Sequence, residues 1–83
     1  MNITLYALST CGWCRRTKAF LQDHKVNYQL FEVDLLQGEE KEEARRQVAR
    51  FNPRMSFPTL VINDGEKVVI GYDEERLREA LGL

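Results

Sequence analysis

A change of apolar period close to the N-terminus limits what this chain can fold into. Ile3 to Leu8 (ITLYAL) is a β-branched and aromatic run with apolar residues on both parities, the pattern of a strand covered on both faces. Ser9-Thr10 breaks the run, and Thr10 is a suitable N-cap. From Gly12 to His24 the period is helical: Cys14, Thr17, Phe20, Leu21 and His24 recur at spacings of three and four, with Arg15, Arg16, Lys18 and Gln22 on the other side. Asn27 suits a turn, and Tyr28 to Leu35 (YQLFEVDL) reads as a second strand. Two strands joined by one helix form a right-handed βαβ unit with the strands parallel.

The rest of the chain continues in the same grammar. Gln37-Gly38 punctuates it, and Glu39 to Phe51 follows as a helix with acidic residues at its start, basic residues at its end and an apolar stripe of Ala44, Val48 and Phe51. Asn52-Pro53 ends that helix. Pro58 to Asn63 and Lys67 to Ile70 read as strands joined by a short Asp64-Gly65 turn, hence as an antiparallel hairpin. Asp73 caps a last helix that buries Leu77, Ala80 and Leu81 and stops before Gly82. The order β-α-β-α-β-β-α predicts an α/β fold with a four-stranded mixed sheet flanked by helices on both faces.

Eighty-three residues with no linker or repeat are expected to form one domain, residues 1–83, with a modest core. A net charge of −1 lacks the basic excess of a nucleic-acid surface. No apolar run approaches the roughly 20 residues that cross a bilayer, and MNITLYALST lacks the basic and apolar regions of a secretory signal. A close pair of cysteines in an unexported chain points to a reducing, cytoplasmic setting, where such a pair is catalytic or metal-binding more often than a structural staple.

Chemistry centres on Cys11-Gly12-Trp13-Cys14, where the first strand hands over to the first helix. Backbone N–H groups at a helix N-terminus lack intrahelical partners and carry partial positive charge, so a thiolate there is stabilised and its pKa falls. Cys11 is the expected nucleophile, with Arg15, Arg16 and Lys18 adding positive potential. Cys14 lies one helical turn on, along the inward stripe, so it is expected to be the more buried cysteine and to resolve a mixed disulfide. Gly12 leaves space beside the reactive sulfur and Trp13 offers an apolar platform. The alternatives are plainer. A C-x-x-C pair can be half of a zinc site, but zinc takes about four ligands and His24 is the one other soft candidate. An inert buried pair and an idle exposed tryptophan are the remaining readings. Met55-Ser56-Phe57-Pro58 is the second informative segment. Proline is permitted at a strand start, and spacing alone leaves the Phe57–Pro58 bond open between cis and trans.

The chain resembles the glutaredoxin family, within the thioredoxin-like superfamily, over nearly its whole length. The resemblance rests on Thr10-Cys11-Gly12-Trp13-Cys14, Phe57-Pro58-Thr59 and Gly71-Tyr72-Asp73. It implies a thioredoxin-like fold and catalytic Cys11 and Cys14; with too few ligands beside them, no metal site is assigned. It also implies a substrate-binding surface of Thr10, Gly12, Trp13, Phe57, Pro58, Gly71, Tyr72 and Asp73. The resemblance favours a cis Phe57–Pro58 bond facing the cysteines, with the backbone of Phe57 free to pair with an extended substrate.

Three departures stand out. Gly12 and Trp13 replace the proline and tyrosine common between the cysteines. Leu8 stands where the family commonly has a lysine that binds a glutathione carboxylate. Tyr72 replaces the second glycine of a Gly-Gly pair. A Gly-aromatic pair at that place is similar to glutaredoxin-like redoxins that donate electrons to ribonucleotide reductase and draw them from a thioredoxin reductase, although Glu74 stands where that branch often has proline.

The leading expectation is a thiol-disulfide oxidoreductase or electron carrier that reduces protein disulfides. It would be monomeric, with no tightly bound cofactor and no membrane or nucleic-acid partner. Its electrons would come from a thioredoxin reductase or from glutathione as co-substrate. One alternative is a glutathione-dependent glutaredoxin acting on glutathione mixed disulfides. Another is an iron–sulfur cluster or metal carrier through Cys11 in a dimer. Arg15 and Arg54 are the candidates to replace the missing lysine charge.

Overall fold

The computed structural model describes residues 1–83. Strand β1 (Ile3–Ala7) leads into helix α1 (Gly12–Asp23) and strand β2 (Gln29–Glu32). Helix α2 (Gly38–Phe51), the hairpin of β3 (Thr59–Ile62) and β4 (Lys67–Ile70), and helix α3 (Glu74–Leu81) follow. The sheet order is β2-β1-β3-β4. β1 and β2 run parallel, with Ala7 opposite Glu32, while β3 is antiparallel to both β1 and β4. This is the four-stranded mixed sheet expected from the order of periods, in the thioredoxin-like arrangement that the resemblance implies.

Alternation along the central strands divides the interior into two layers. Ile3, Leu5 and Ala7 of β1, Leu60 and Ile62 of β3 and Val69 of β4 face one way. They pack with Cys14, Phe20 and Leu21 of α1 and Leu77, Ala80 and Leu81 of α3. Tyr6, Val33 and Val61 face the other way, onto Ala44 and Val48 of α2. The helices thus cover both faces, which is why the central strands read as continuous apolar runs.

Four local expectations are corrected. β2 stops at Glu32, and Val33–Leu35 form a 3₁₀ turn instead of continuing the strand. Two contacts pull the chain off the sheet there: Val33 is buried under α2, and the Asp34 carboxylate accepts hydrogen bonds from the backbone and hydroxyl of Ser9. The turn after α1 is made by Lys25 rather than Asn27. Lys25 takes left-handed dihedrals (φ 54°) so that its N–H reaches Gln22 O at 3.0 Å and the Val26 N–H reaches Leu21 O at 2.9 Å, a Schellman closure. The β3–β4 hairpin turns one residue earlier than Asp64-Gly65, because Asn63 and Asp64 both take left-handed dihedrals (φ 51° and 58°) ahead of Gly65 (φ 112°), and the strands pair antiparallel as expected. Finally, Thr10 does not cap α1; Cys11 does. Asp73 caps α3 as expected, accepting from the Arg76 N–H at 3.1 Å. No helix is long and apolar enough to cross a membrane.

Candidate functional site

The first turn of α1 is built around a sulfur. Cys11 occupies the N-cap in an extended conformation, and its Sγ accepts the Cys14 N–H at 3.2 Å. A hydroxyl or carboxylate ordinarily holds this position. A thiolate accepts from an orphan helix donor more strongly than a thiol does, so capping and ionisation favour one another. Partial burial resists the charge on Cys11. The Cys14 thiol, the N–H groups of Cys14 and Trp13 and the Arg15 guanidinium outweigh that resistance and hold its pKa below the ordinary thiol value.

Cys14 is the opposite case. It is fully buried in the larger core, and its Sγ accepts the Leu8 N–H at 3.5 Å. Burial, its hydrogen bond to Cys11 and the negative charge there push its pKa up to about 12. Both cysteines are free. The pair therefore offers an accessible thiolate with a protonated thiol one turn behind it. His24 stands apart at the other end of α1, its ring nitrogen 2.8 Å from Phe20 O and its ring against Phe20.

The second wall is the segment between α2 and β3. The Phe57–Pro58 bond is cis, and Pro58 O accepts the Gly71 N–H at 2.8 Å, which ties this segment to the start of the α3 loop. The organiser is Asn52, a residue read from sequence only as a helix terminator. It is buried, and its Nδ2 donates to Ser56 O, Ser56 Oγ and Thr59 Oγ1 at 3.0–3.1 Å. The Thr59 hydroxyl donates to Ser56 O at 2.8 Å. Asparagine after a helix is common, so the local sequence carries no signal for this network.

Trp13 and Tyr72 meet across the two walls. Their rings stack with centroids 6.2 Å apart and planes 16° from parallel, and Trp13 remains 57 % exposed. The Arg16 guanidinium lies 5.2 Å from the Trp13 ring centre. Trp13 is thus one half of an aromatic shelf. Gly71 (φ 79°) supplies the left-handed turn that delivers Tyr72 to it. A methyl on Gly12 would meet nothing within 4 Å, so this glycine leaves open space beside the site. Thr10 is exposed, and the Asp73 carboxylate is committed to capping α3.

A cleft of about 290 Å³ adjoins this site, lined by Leu8, Val33, Asp34, Lys41, Arg45, Met55 and Phe57. Lys41 and Arg45 are one turn apart on α2 and engage in no ion pair. They bring to the surroundings of Leu8 the positive charge that Leu8 lacks. Arg15 and Arg54, the expected substitutes, do not line this cleft, and Arg15 acts on Cys11 itself. Lys41 and Arg45 lie 33 and 37 positions from Leu8, so nothing in the local sequence points to them.

Comparison with known proteins places the chain among relatives. A family profile described as glutaredoxin matches residues 3–68. The structure is similar to methanoredoxin of Methanosarcina acetivorans, which is 51 % identical, with 99 % of this chain and 85 % of that one covered and a TM-score of 0.93. It is also similar to a glutaredoxin from Methanosarcina mazei Go1, 49 % identical over 99 % of this chain and 79 % of that one, with a TM-score of 0.92. Among curated proteins, prostaglandin E synthase 2 of Mus musculus is 31 % identical over 68 residues. That match covers 82 % of this chain but 16 % of the relative, so the chain spans about a sixth of that protein's length.

Proposed function

The chain belongs to the glutaredoxin family of thiol-disulfide oxidoreductases, and we propose that it is a dithiol carrier that reduces protein disulfides. The observation that carries this reading is the asymmetry of the cysteines, one sulfur capping a helix at the surface and the other protonated in the core. The Cys11 thiolate attacks a substrate disulfide, releases one substrate sulfur and holds the other in a mixed disulfide. Cys14 then loses its proton and attacks the Cys11 sulfur. The second substrate sulfur departs with its electron pair, the substrate gains two electrons and the protein is left with a Cys11–Cys14 disulfide. Thr10, Gly12, the Trp13–Tyr72 shelf and the Phe57–Pro58–Gly71–Asp73 wall frame the docking surface. The Phe57 backbone offers an edge to an extended substrate segment. The protein acts as a cytoplasmic monomer without a tightly bound cofactor, re-reduced by a thioredoxin reductase or by glutathione.

The two electron sources are favoured by different features. Leu8 and Tyr72 remove contacts that a tripeptide thiol would use, whereas Lys41 and Arg45 beside Leu8 suit an anionic thiol. Turnover of insulin and of a glutathione mixed disulfide, at matched reductant, tests the reading. Insulin is expected to be reduced faster, and the residual glutathione activity is expected to fall tenfold or more in a Lys41→Ala/Arg45→Ala variant, since a charged hydrogen bond contributes about 1.5–3 kcal/mol. Efficient turnover of the glutathione substrate with insulin untouched would overturn it.

A further inference from the structure

Lys18 does not behave as the solvent-facing cation its place in the sequence suggests. Its Nζ lies 2.6 Å from Glu32 Oε1, and both side chains are three-quarters or more buried. Lys18 is four residues from Cys14 on α1, so the two project from the same helix face one turn apart. Glu32 closes β2 in register with Ala7, and the N–H of the next residue, Leu8, points at Cys14 Sγ. Helix spacing and sheet register thus bring this ion pair to the flank of the buried thiol. We propose that Lys18 and Glu32 are positioning residues for the second half of the exchange: Glu32 pins the Lys18 ammonium beside Cys14, and that ammonium favours the Cys14 thiolate when the mixed disulfide on Cys11 is resolved. The proposal rests on the dithiol reading above.

The surroundings of Cys14 make this charge count. The core cluster around it draws apolar side chains from β1, β3, β4 and α3, with the Tyr28 and Tyr72 phenols at its margin. The charges that bear on Cys14 are Cys11, which opposes its ionisation, and Lys18, which assists it. In the mixed disulfide Cys11 is neutral. Lys18, tempered by Glu32, then becomes the principal charge acting on Cys14. The step balances simply. Cys14 gives its proton to water, its sulfur lone pair forms the Cys11–Cys14 bond, and the Cys11–substrate bond breaks with its electrons going to the leaving sulfur, which takes up a proton.

A single-turnover reaction with dithiobis(nitrobenzoate) separates the two halves. The first thionitrobenzoate reports attack by Cys11 and the second reports resolution by Cys14. Lys18→Met is expected to slow the second release about threefold at fixed pH and to displace its pH profile upward. Glu32→Gln, whose amide oxygen can still accept from Lys18 Nζ and so keeps the ammonium in place while removing its counter-charge, is expected to speed the second release and displace the profile downward. A one-unit change in ionisation alters the thiolate fraction tenfold, and the opposing change in nucleophilicity returns roughly half of the logarithm. Lys18→Arg restores the rate. Slowing by both single variants would show that the pair matters only as a structural bridge and would overturn the proposal, as would unchanged profiles in both. Absence of a second release in the unsubstituted protein would instead overturn the dithiol reading beneath it.

Discussion

Cys11 and Cys14 are the same side chain made into two different acids by three residues of helix. Cys11 ionises more easily than an ordinary thiol because the helix end and Arg15 outweigh its partial burial. Cys14 resists ionisation because it is enclosed. Alkylation of reduced protein by iodoacetamide should therefore titrate with a midpoint below that of an ordinary thiol and modify Cys11 alone. Stability should follow the same division, in opposite directions. The lowered pKa of Cys11 contributes stability that is present above the unfolded thiol pKa and is lost as pH falls through the folded value. The raised pKa of Cys14 contributes stability that is present below the unfolded value and is lost as pH rises toward about 12. Relative to the oxidised form, which has no thiols to titrate, the reduced protein should be most stable near the ordinary thiol pKa. Denaturant titrations of both forms across pH would show a monotonic difference if either assignment were wrong. At this scale the sequence was legible where spacing alone decides the outcome, as for the cysteines. It was not legible for Asn52, Lys41 and Arg45, whose partners or neighbours are set by tertiary folding.

The two helix ends on the larger core show why elements are read more reliably than their boundaries. Both α1 and α3 finish with a left-handed residue and a backward backbone hydrogen bond, Val26 N–H to Leu21 O and Leu83 N–H to Arg78 O. At α3 the left-handed residue is Gly82, which the sequence announces. At α1 it is Lys25, which the sequence hides, because lysine rarely takes positive φ and tolerates it here only under the constraint of its neighbours. Lys25→Gly is accordingly expected to stabilise the fold by about 0.5–1 kcal/mol, the relief of a left-handed Cβ less the greater chain entropy of glycine. Urea unfolding measures it, and a destabilised variant would show that the lysine side chain contributes more than its dihedral costs. The shortened β2 has the same kind of cause. Nothing in YQLFEVDL says that Asp34 will turn to hold Ser9, so the strand pattern runs on past the point where the chain leaves the sheet.

Across the whole molecule the two layers are unequal. The layer shared by α1 and α3 holds twelve buried residues and the layer under α2 holds five. Free energies of local opening follow the apolar contacts that opening breaks. Amide exchange should therefore find α2 opening at lower free energy than α1, β1 and β3, which should exchange with global unfolding; equal protection of α1 and α2 would refute this. Leu8, Met55 and Phe57 pack against the smaller layer, so the cleft that carries Lys41 and Arg45 belongs to the part of the molecule best able to adapt to a partner. The capping sulfur, by contrast, belongs to the rigid part. While Cys11 is a thiolate it completes the end of α1, and once it joins a disulfide it is a neutral and poorer acceptor for the Cys14 N–H. The electrochemistry of the pair is therefore linked to the folding of the helix it begins. Whatever steadies the capped end, whether substitution or bound partner, favours the reduced chain and makes the disulfide a stronger oxidant, and whatever frays it makes the dithiol a stronger reductant. A docking protein would in this way set the voltage at which it trades electrons.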